Sequence, residues 1–541
     1  MSASSKKKLR NAQNAEKLTE KQLAEQKEAK KLKTYTTAFV AVMALVICLA
    51  VFFAVSNTIT SSGVREKNTI ALTVGDHEIS NAQFNYYYMD AINEFMNNYG
   101  SYAYIFGLDT TVALDEQVTN NETGATWADD FKADAMNAIQ SVYALVDAAN
   151  EAGFTLSDDQ IASVDNQIAN AQLYANLYYG YTDLEQYLKV SYGYGATEEN
   201  FREYLEMNTL AQAYSSHYAQ SINIGDDAIR AEDTANPVAY NGYSYNYYYL
   251  NATKFLEGGT TAEDGTTTYS DEEKAASVAA AEAAAKALTT GIDTVEALDA
   301  AIAALPINAE TTAASTASDD VSSDSIMSYF ADWVLSADRK EGDITYVANT
   351  STDAEGKETV NGYYVVLFRG VNDNNYPLAN VRHILVAFEG GVTDPNTGVT
   401  TYSDEQKAIA KEEAEKILAD WQAGKALEET FAALANELSD DGDGTTGGLY
   451  TDVYPGQMVV NFNDWCFAEG RKAGDTGIVE SEYGYHVMYY SGDSETMYRT
   501  FLIENALASA EYTEWTASLV EATAVTEKNM KYISTDLVLA N

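Results

Sequence analysis

Val381-Arg382-His383-Ile384-Leu385-Val386 and Gly484-Tyr485-His486-Val487-Met488-Tyr489-Tyr490 bracket the stretch that decides the fold. Each is a short run of branched and aromatic residues carrying one imidazole, the pattern of a strand with at least one buried face. The 541-residue chain has only four histidines, and two of them fall on these runs. Between them come Phe431-Ala432-Ala433-Leu434-Ala435 at helical spacing, an acidic turn at Leu438-Ser439-Asp440-Asp441, then Gly447-Gly448-Leu449, Gly456-Gln457-Met458, Phe462 and Trp465-Cys466-Phe467.

In that order the segments resemble the parvulin-type peptidyl-prolyl cis/trans isomerases, whose domain opens on an R-H-I-L-V-like strand and closes on a G-Y-H-like one. The resemblance implies that His383 and His486 are paired on adjacent central strands and that Asp441 stands near the imide, where the family holds Cys or Asp. It makes Leu449, Met458 and Phe462 an apolar cup for proline, with Ser481 and Tyr483 on the substrate side before the last histidine. Two departures stand out: Gly447-Gly448-Leu449-Tyr450 lacks the acid of the family's Gly-Gly-Asp-Leu-Gly, and Val459 replaces a frequent Gln. No basic cluster lies near, which argues against phospho-Ser/Thr-Pro selectivity.

The residue types suit that chemistry. Rotation about an X-Pro bond meets a barrier near 20 kcal/mol and makes or breaks no covalent bond, so a catalyst needs only to bind the twisted imide best. Neutral imidazoles both donate and accept, so a pair can hold one tautomer arrangement. A lone histidine on an apolar strand is ordinarily a core residue, and the pair is read as partly structural as well. Asp440-Asp441-Gly442-Asp443-Gly444 also reads as a solvated turn, and it lacks the closing Glu of a calcium loop. Neither a metal nor a cofactor is called for.

Working outward, the upstream sequence repeats the pattern. Tyr269-Ser270-Asp271-Glu272-Glu273-Lys274 parallels Tyr402-Ser403-Asp404-Glu405-Gln406-Lys407, Phe330-Ala331-Asp332-Trp333 parallels Phe462-Asn463-Asp464-Trp465, and Gly362-Tyr363-Tyr364-Val365 parallels Gly484-Tyr485-His486-Val487. This copy has Tyr364 in place of His486 and no histidine between Tyr243 and Leu250, so it is expected to be catalytically silent, leaving a spacer or client-binding role.

Farther upstream, Ile70 to Ser80 reads as a hairpin turning at Gly75-Asp76, with Ser80 and Gln83 as a capping box for the next helix. This segment resembles the start of SurA-like and PrsA-like exported foldases. Apolar residues then recur at helical spacing to about Asn236. Forty tyrosines, clustered as at Tyr86-Tyr87-Tyr88 and Tyr178-Tyr179, suit either helix packing or loose contact with unfolded chains.

Ala38 to Val55 is eighteen residues without a charge, long enough to cross a bilayer with its flanks, behind a basic cluster. The positive-inside bias puts the N-terminus in the cytoplasm and the rest outside. A cleaved signal peptide competes, but its charged region is unusually long and no small-x-small site follows. Residues 1–33 hold ten Lys/Arg and four Glu, whereas the whole chain holds 33 against 81 and carries −48. So acidic a body argues against nucleic acid as a partner. Cys48 and Cys466 cannot build a disulfide framework and read as buried thiols.

The expected organisation is α+β: a basic tail (1–33), a transmembrane anchor (34–60), a SurA-like helical chaperone domain (65–239), a degenerate parvulin-like domain (240–372), a parvulin domain (378–492) and a C-terminal helical segment (493–541) packing back on the chaperone domain. The expected function is a membrane-anchored extracytoplasmic isomerase and chaperone for unfolded exported polypeptides with X-Pro bonds. The alternative is a holdase whose parvulin modules only bind.

Overall fold

A computed structural model describes residues 58–539 apart from 354, 355, 396 and 443, and before them 3–8, 27, 30, 31, 33, 42–49, 51, 53 and 56. Most of the expected basic tail, and part of the expected span over 34–60, lie outside the described residues. Among the described residues no helix is long and apolar enough to cross a membrane. Residues 42–49 are helical, and Val42, Leu45, Ile47 and Leu49 are exposed. Cys48 is exposed with them, contrary to expectation, because among the described residues no surface covers this apolar helix; Cys466 is buried.

The chain divides into two compact units, residues 1–222 with 511–541, and residues 223–510. In the first, strands Ile70–Val74 and His77–Ser80 form the expected hairpin. Ser80 caps helix Asn81–Tyr99 through the reciprocal bonds with Gln83. Helices Trp127–Glu151, Asp158–Tyr179, Leu184–Tyr192 and Glu198–Ser221 follow. The C-terminal segment supplies a third strand, Val525–Glu527, paired antiparallel to Ile70–Val74 with Val525 opposite Val74. Ile533 joins the core of Leu72, Ile79, Phe84, Tyr88, Phe131 and Ile139. The tyrosines divide: Tyr86, Tyr87 and Tyr88 are buried packing residues, whereas Tyr174, Tyr178 and Tyr179 form an exposed group of rings.

Asn81 ties this closure together. Fully buried, its Nδ2 donates to the carbonyls of Thr69 and Asn529 at 2.8 Å each, and its Oδ1 accepts from the Tyr532 N–H at 3.2 Å. Asn81→Ala leaves three backbone groups without these partners. It is expected to cost about 2 kcal/mol, seen as a lower urea midpoint; an unchanged midpoint would show that the C-terminal segment is held elsewhere.

In the second unit two sheets share one topology. The upstream strands Gly242–Asn251, Thr316–Ser322, Ile344–Thr352 and Glu358–Asn372 lie in the order second, first, fourth, third. The downstream strands Pro377–Ala387, Leu449–Val453, Thr476–Glu480 and Gly484–Met497 lie in the same order. Each copy places two helices between its first and second strands and a short helix before its third. Each also carries a small Thr-rich hairpin before the first helix, Thr260–Thr261 with Thr267–Thr268 and Val392–Thr393 with Thr400–Thr401.

Alternation along the two central downstream strands sorts their side chains by face. Ile384, Val386, Tyr485 and Val487 pack with Trp421 and Phe431 of the long helices. Val381, Met488 and Tyr490 pack with Phe462 and Cys466 of the short helix. The imidazoles lie on this second face.

Candidate active site

In the antiparallel register His383 stands opposite Met488 and Leu385 opposite His486. The two histidines are therefore diagonal neighbours on one face, close enough for their rings to meet. Their Nδ1 atoms are 3.1 Å apart. His383 Nε2 lies 3.0 Å from Asp441 Oδ2, Tyr450 donates its hydroxyl to the same oxygen at 2.9 Å, and Ser481 Oγ lies 2.8 Å from His486 Nε2.

The partners set the direction of this chain. An ionised carboxylate only accepts, so His383 donates from Nε2 and, being neutral, accepts at Nδ1. His486 must then donate from Nδ1 and accept at Nε2, where Ser481 donates. Four groups thus point their hydrogen bonds toward Asp441. Neutrality follows from burial, which pushes both imidazoles below their ordinary value. His486 is driven down to about 4 by desolvation and the neighbouring His383, against the pull of Asp441. The Tyr450 phenol is raised by burial and by Asp441, so it stays a donor.

The surroundings fix these groups. The turn carrying Asp441 is stitched to the His383 strand: Ser439 Oγ accepts from the Leu385 N–H at 3.1 Å and from the Asp441 N–H at 3.2 Å, and Asp440 N–H donates to the Leu385 carbonyl at 2.9 Å. Gly448 has a φ of 64°, its carbonyl accepts from the His383 N–H at 3.0 Å, and a Cβ there would stand 2.2 Å from the His383 carbonyl oxygen. Only glycine allows so close an approach.

Beside the dyad opens a cleft of about 320 Å³ lined by His383, Leu385, Asp441, Tyr450, Gln457, Met458, Val459, Phe462, Tyr483 and His486. Phe462 meets both imidazoles edge-on, with centroids at 5.3 and 5.4 Å. Six of the eight expected residues converge here. Ser481 does not line the cleft but bonds His486 from outside it. Leu449 is a correction: it pairs with Arg382, whose side chain turns to the long-helix side, while Tyr450 pairs with Val381 on the histidine face. The wall expected of Leu449 is therefore made by Tyr450, whose ring lies 5.2 Å from that of His383. The buried Cys466 thiol, pushed up to about 12 by desolvation, is no nucleophile.

The upstream sheet has rings of another kind at the matching positions. Tyr247 stands opposite Val366 and Tyr249 opposite Tyr364, so tyrosines occupy the register places of His383 and His486. Phe330 packs at 5.6 Å from Tyr364 as Phe462 packs on His486.

A two-helix, four-stranded domain with a buried histidine pair facing an apolar cleft defines the class, and residues 363–491 match the PPIC-type PPIase domain, while residues 26–215 match the SurA-like N-terminal domain. Over such stretches the chain is homologous to the foldase PrsA and the chaperone SurA. It is 32% identical over 145 residues to foldase protein PrsA 1 of Listeria innocua, covering 27% of this chain and 46% of that protein. It is 39% identical over 114 residues to chaperone SurA of Chromohalobacter salexigens, covering 20% of this chain and 21% of that one. The chain thus matches less than half the length of either relative. Among solved structures, that of PrsA from Bacillus subtilis pairs with 79% of this chain and 98% of its own at 12% identity, with a TM-score of 0.28, too low to bear on the arrangement of the domains.

Proposed function

We propose that this chain is a peptidyl-prolyl cis/trans isomerase and chaperone that assists exported polypeptides outside the cytoplasm. The carrying observation is the oriented network ending on Asp441 beside an apolar cleft. Met458 and Phe462 receive the prolyl ring, and His383, His486 and Asp441 act on the imide. In the planar imide resonance places negative charge on the carbonyl oxygen, and twisting the bond removes it. A fixed carboxylate nearby raises the energy of the planar form more than that of the twisted one, which lowers the barrier. Neutral imidazoles hold that carboxylate without discharging it.

The upstream sheet shares the topology but has tyrosines in place of the dyad, which supports a degenerate parvulin-like module over 240–372 without isomerase chemistry. The exposed tyrosine group around Tyr178 supports client contact by the helical domain over 65–239. The uncharged stretch 38–55, with its exposed apolar helix at 42–49, supports a membrane anchor with the N-terminus in the cytoplasm.

A protease-coupled proline-peptide assay on the purified chain tests the reading. Asp441→Ala is expected to lower kcat/KM about thirtyfold, equivalent to ~2 kcal/mol of transition-state stabilisation. A folded chain without activity, or one indifferent to Asp441→Ala, would leave a binding-only holdase.

A further inference from the structure

The charge around the cleft is one-sided. Residues 377–497 hold seven Lys/Arg against 22 Asp/Glu. None of the ten residues lining the cleft is cationic, while Asp441 contributes a carboxylate whose side chain is 39% exposed. Three of the domain's seven cations are committed elsewhere: Arg382 to Glu428 at 2.9 Å on the opposite face of the sheet, Lys407 to Glu480 at 3.1 Å, and Arg471 to Asp475 while stacked on Trp465. The histidines do not offset the carboxylate, since both are held neutral by burial. At the rim stand two aromatic faces, Tyr450 at 37% and Tyr483 at 58% exposure.

A prolyl ring seated against Met458 and Phe462 brings the preceding residue about 3.8 Å away, from Cα to Cα, within the same cleft, whose lining includes the accessible Asp441, Tyr450 and Tyr483. We propose that this site selects X-Pro bonds in which X is Lys or Arg, the cation lying between the Asp441 carboxylate and the rings of Tyr450 and Tyr483. A guanidinium or ammonium there gains both Coulombic attraction and ring-face contact, whereas an acidic X meets an uncompensated carboxylate. This selectivity rests on the isomerase reading above and adds the substrate class to it.

The test is the coupled assay on the full chain with Ala-X-Pro-Phe anilides, X being Lys, Arg, Ala or Glu, at low and high salt. Lys and Arg peptides are expected to exceed the Glu peptide about tenfold in kcat/KM, mainly through KM, with the ratio shrinking as salt screens the rim. Tyr483→Ser is expected to narrow the ratio, and Asp441→Asn to narrow it further. Glu turned over as well as Lys, or a ratio indifferent to salt, would overturn the selectivity and leave the isomerase reading standing. A chain that isomerises none of the four peptides removes both.

Discussion

Replacing Phe462 by alanine is expected to destabilise the second unit by about 3 to 5 kcal/mol and to abolish measurable isomerase activity. The side chain is 1% exposed and fills the space between Val381, Val453, Cys466 and Met488. It also packs perpendicular to both imidazole rings, so its removal frees the rings as well as emptying the cup. Urea unfolding followed by amide exchange in the central downstream strands reads the first effect. Met458→Ala separates the second, because Met458 is only partly buried at the edge of the same cluster. It is expected to raise KM with less loss of stability. A Phe462→Ala chain as stable and as active as its parent would place the proline cup elsewhere.

Acid is expected to weaken the same unit through the histidines. An unfolded imidazole takes its proton near pH 6.5, whereas His486 in the fold stays neutral down to about 4. Between these values the unfolded chain binds more protons, so stability falls as the pH drops through that window and the loss is complete below it. One such group costs about 3 kcal/mol over the window, and His383, shifted the same way by burial, adds to it. Activity is expected to fall with it, since a protonated dyad sets a positive charge beside the Asp441 carboxylate and offsets the charge that acts on the imide. Unfolding midpoints at several pH values, for the parent and for His486→Gln, isolate the effect from the many carboxylates. The parent's midpoint is expected to fall more steeply with acid, and parallel curves would show that His486 is not held neutral.

How much of this was legible in the sequence varies from residue to residue. His383 and His486 are readable because each sits in an alternating apolar run, and alternation alone puts them on a definite face. Asp441, Met458 and Phe462 are recognisable only through the order of short motifs, since nothing in their local spacing brings them to the dyad. The choice between Leu449 and Tyr450 is decided by strand register. After Gly447-Gly448 the chain resumes pairing with Tyr450 opposite Val381, and a one-residue ambiguity reverses the face. The paired Thr-rich hairpins were open to the same repeat comparison, because Gly258-Gly259 and Gly390-Gly391 precede both copies of the Tyr-Ser-Asp-Glu motif. The exposure of Cys48 was not readable, because an apolar run gives no information about what covers it.

The strand Val525–Glu527, paired to Ile70–Val74, has one more consequence. A sheet whose partners are separated by some four hundred and fifty positions cannot close until Val525–Glu527 has emerged, however early its hairpin forms. Residues 223–510 have all their own strand partners in hand sooner. Maturation should therefore run from the inside of the sequence outward, with the isomerase module finished before the helical module that brackets it is sealed.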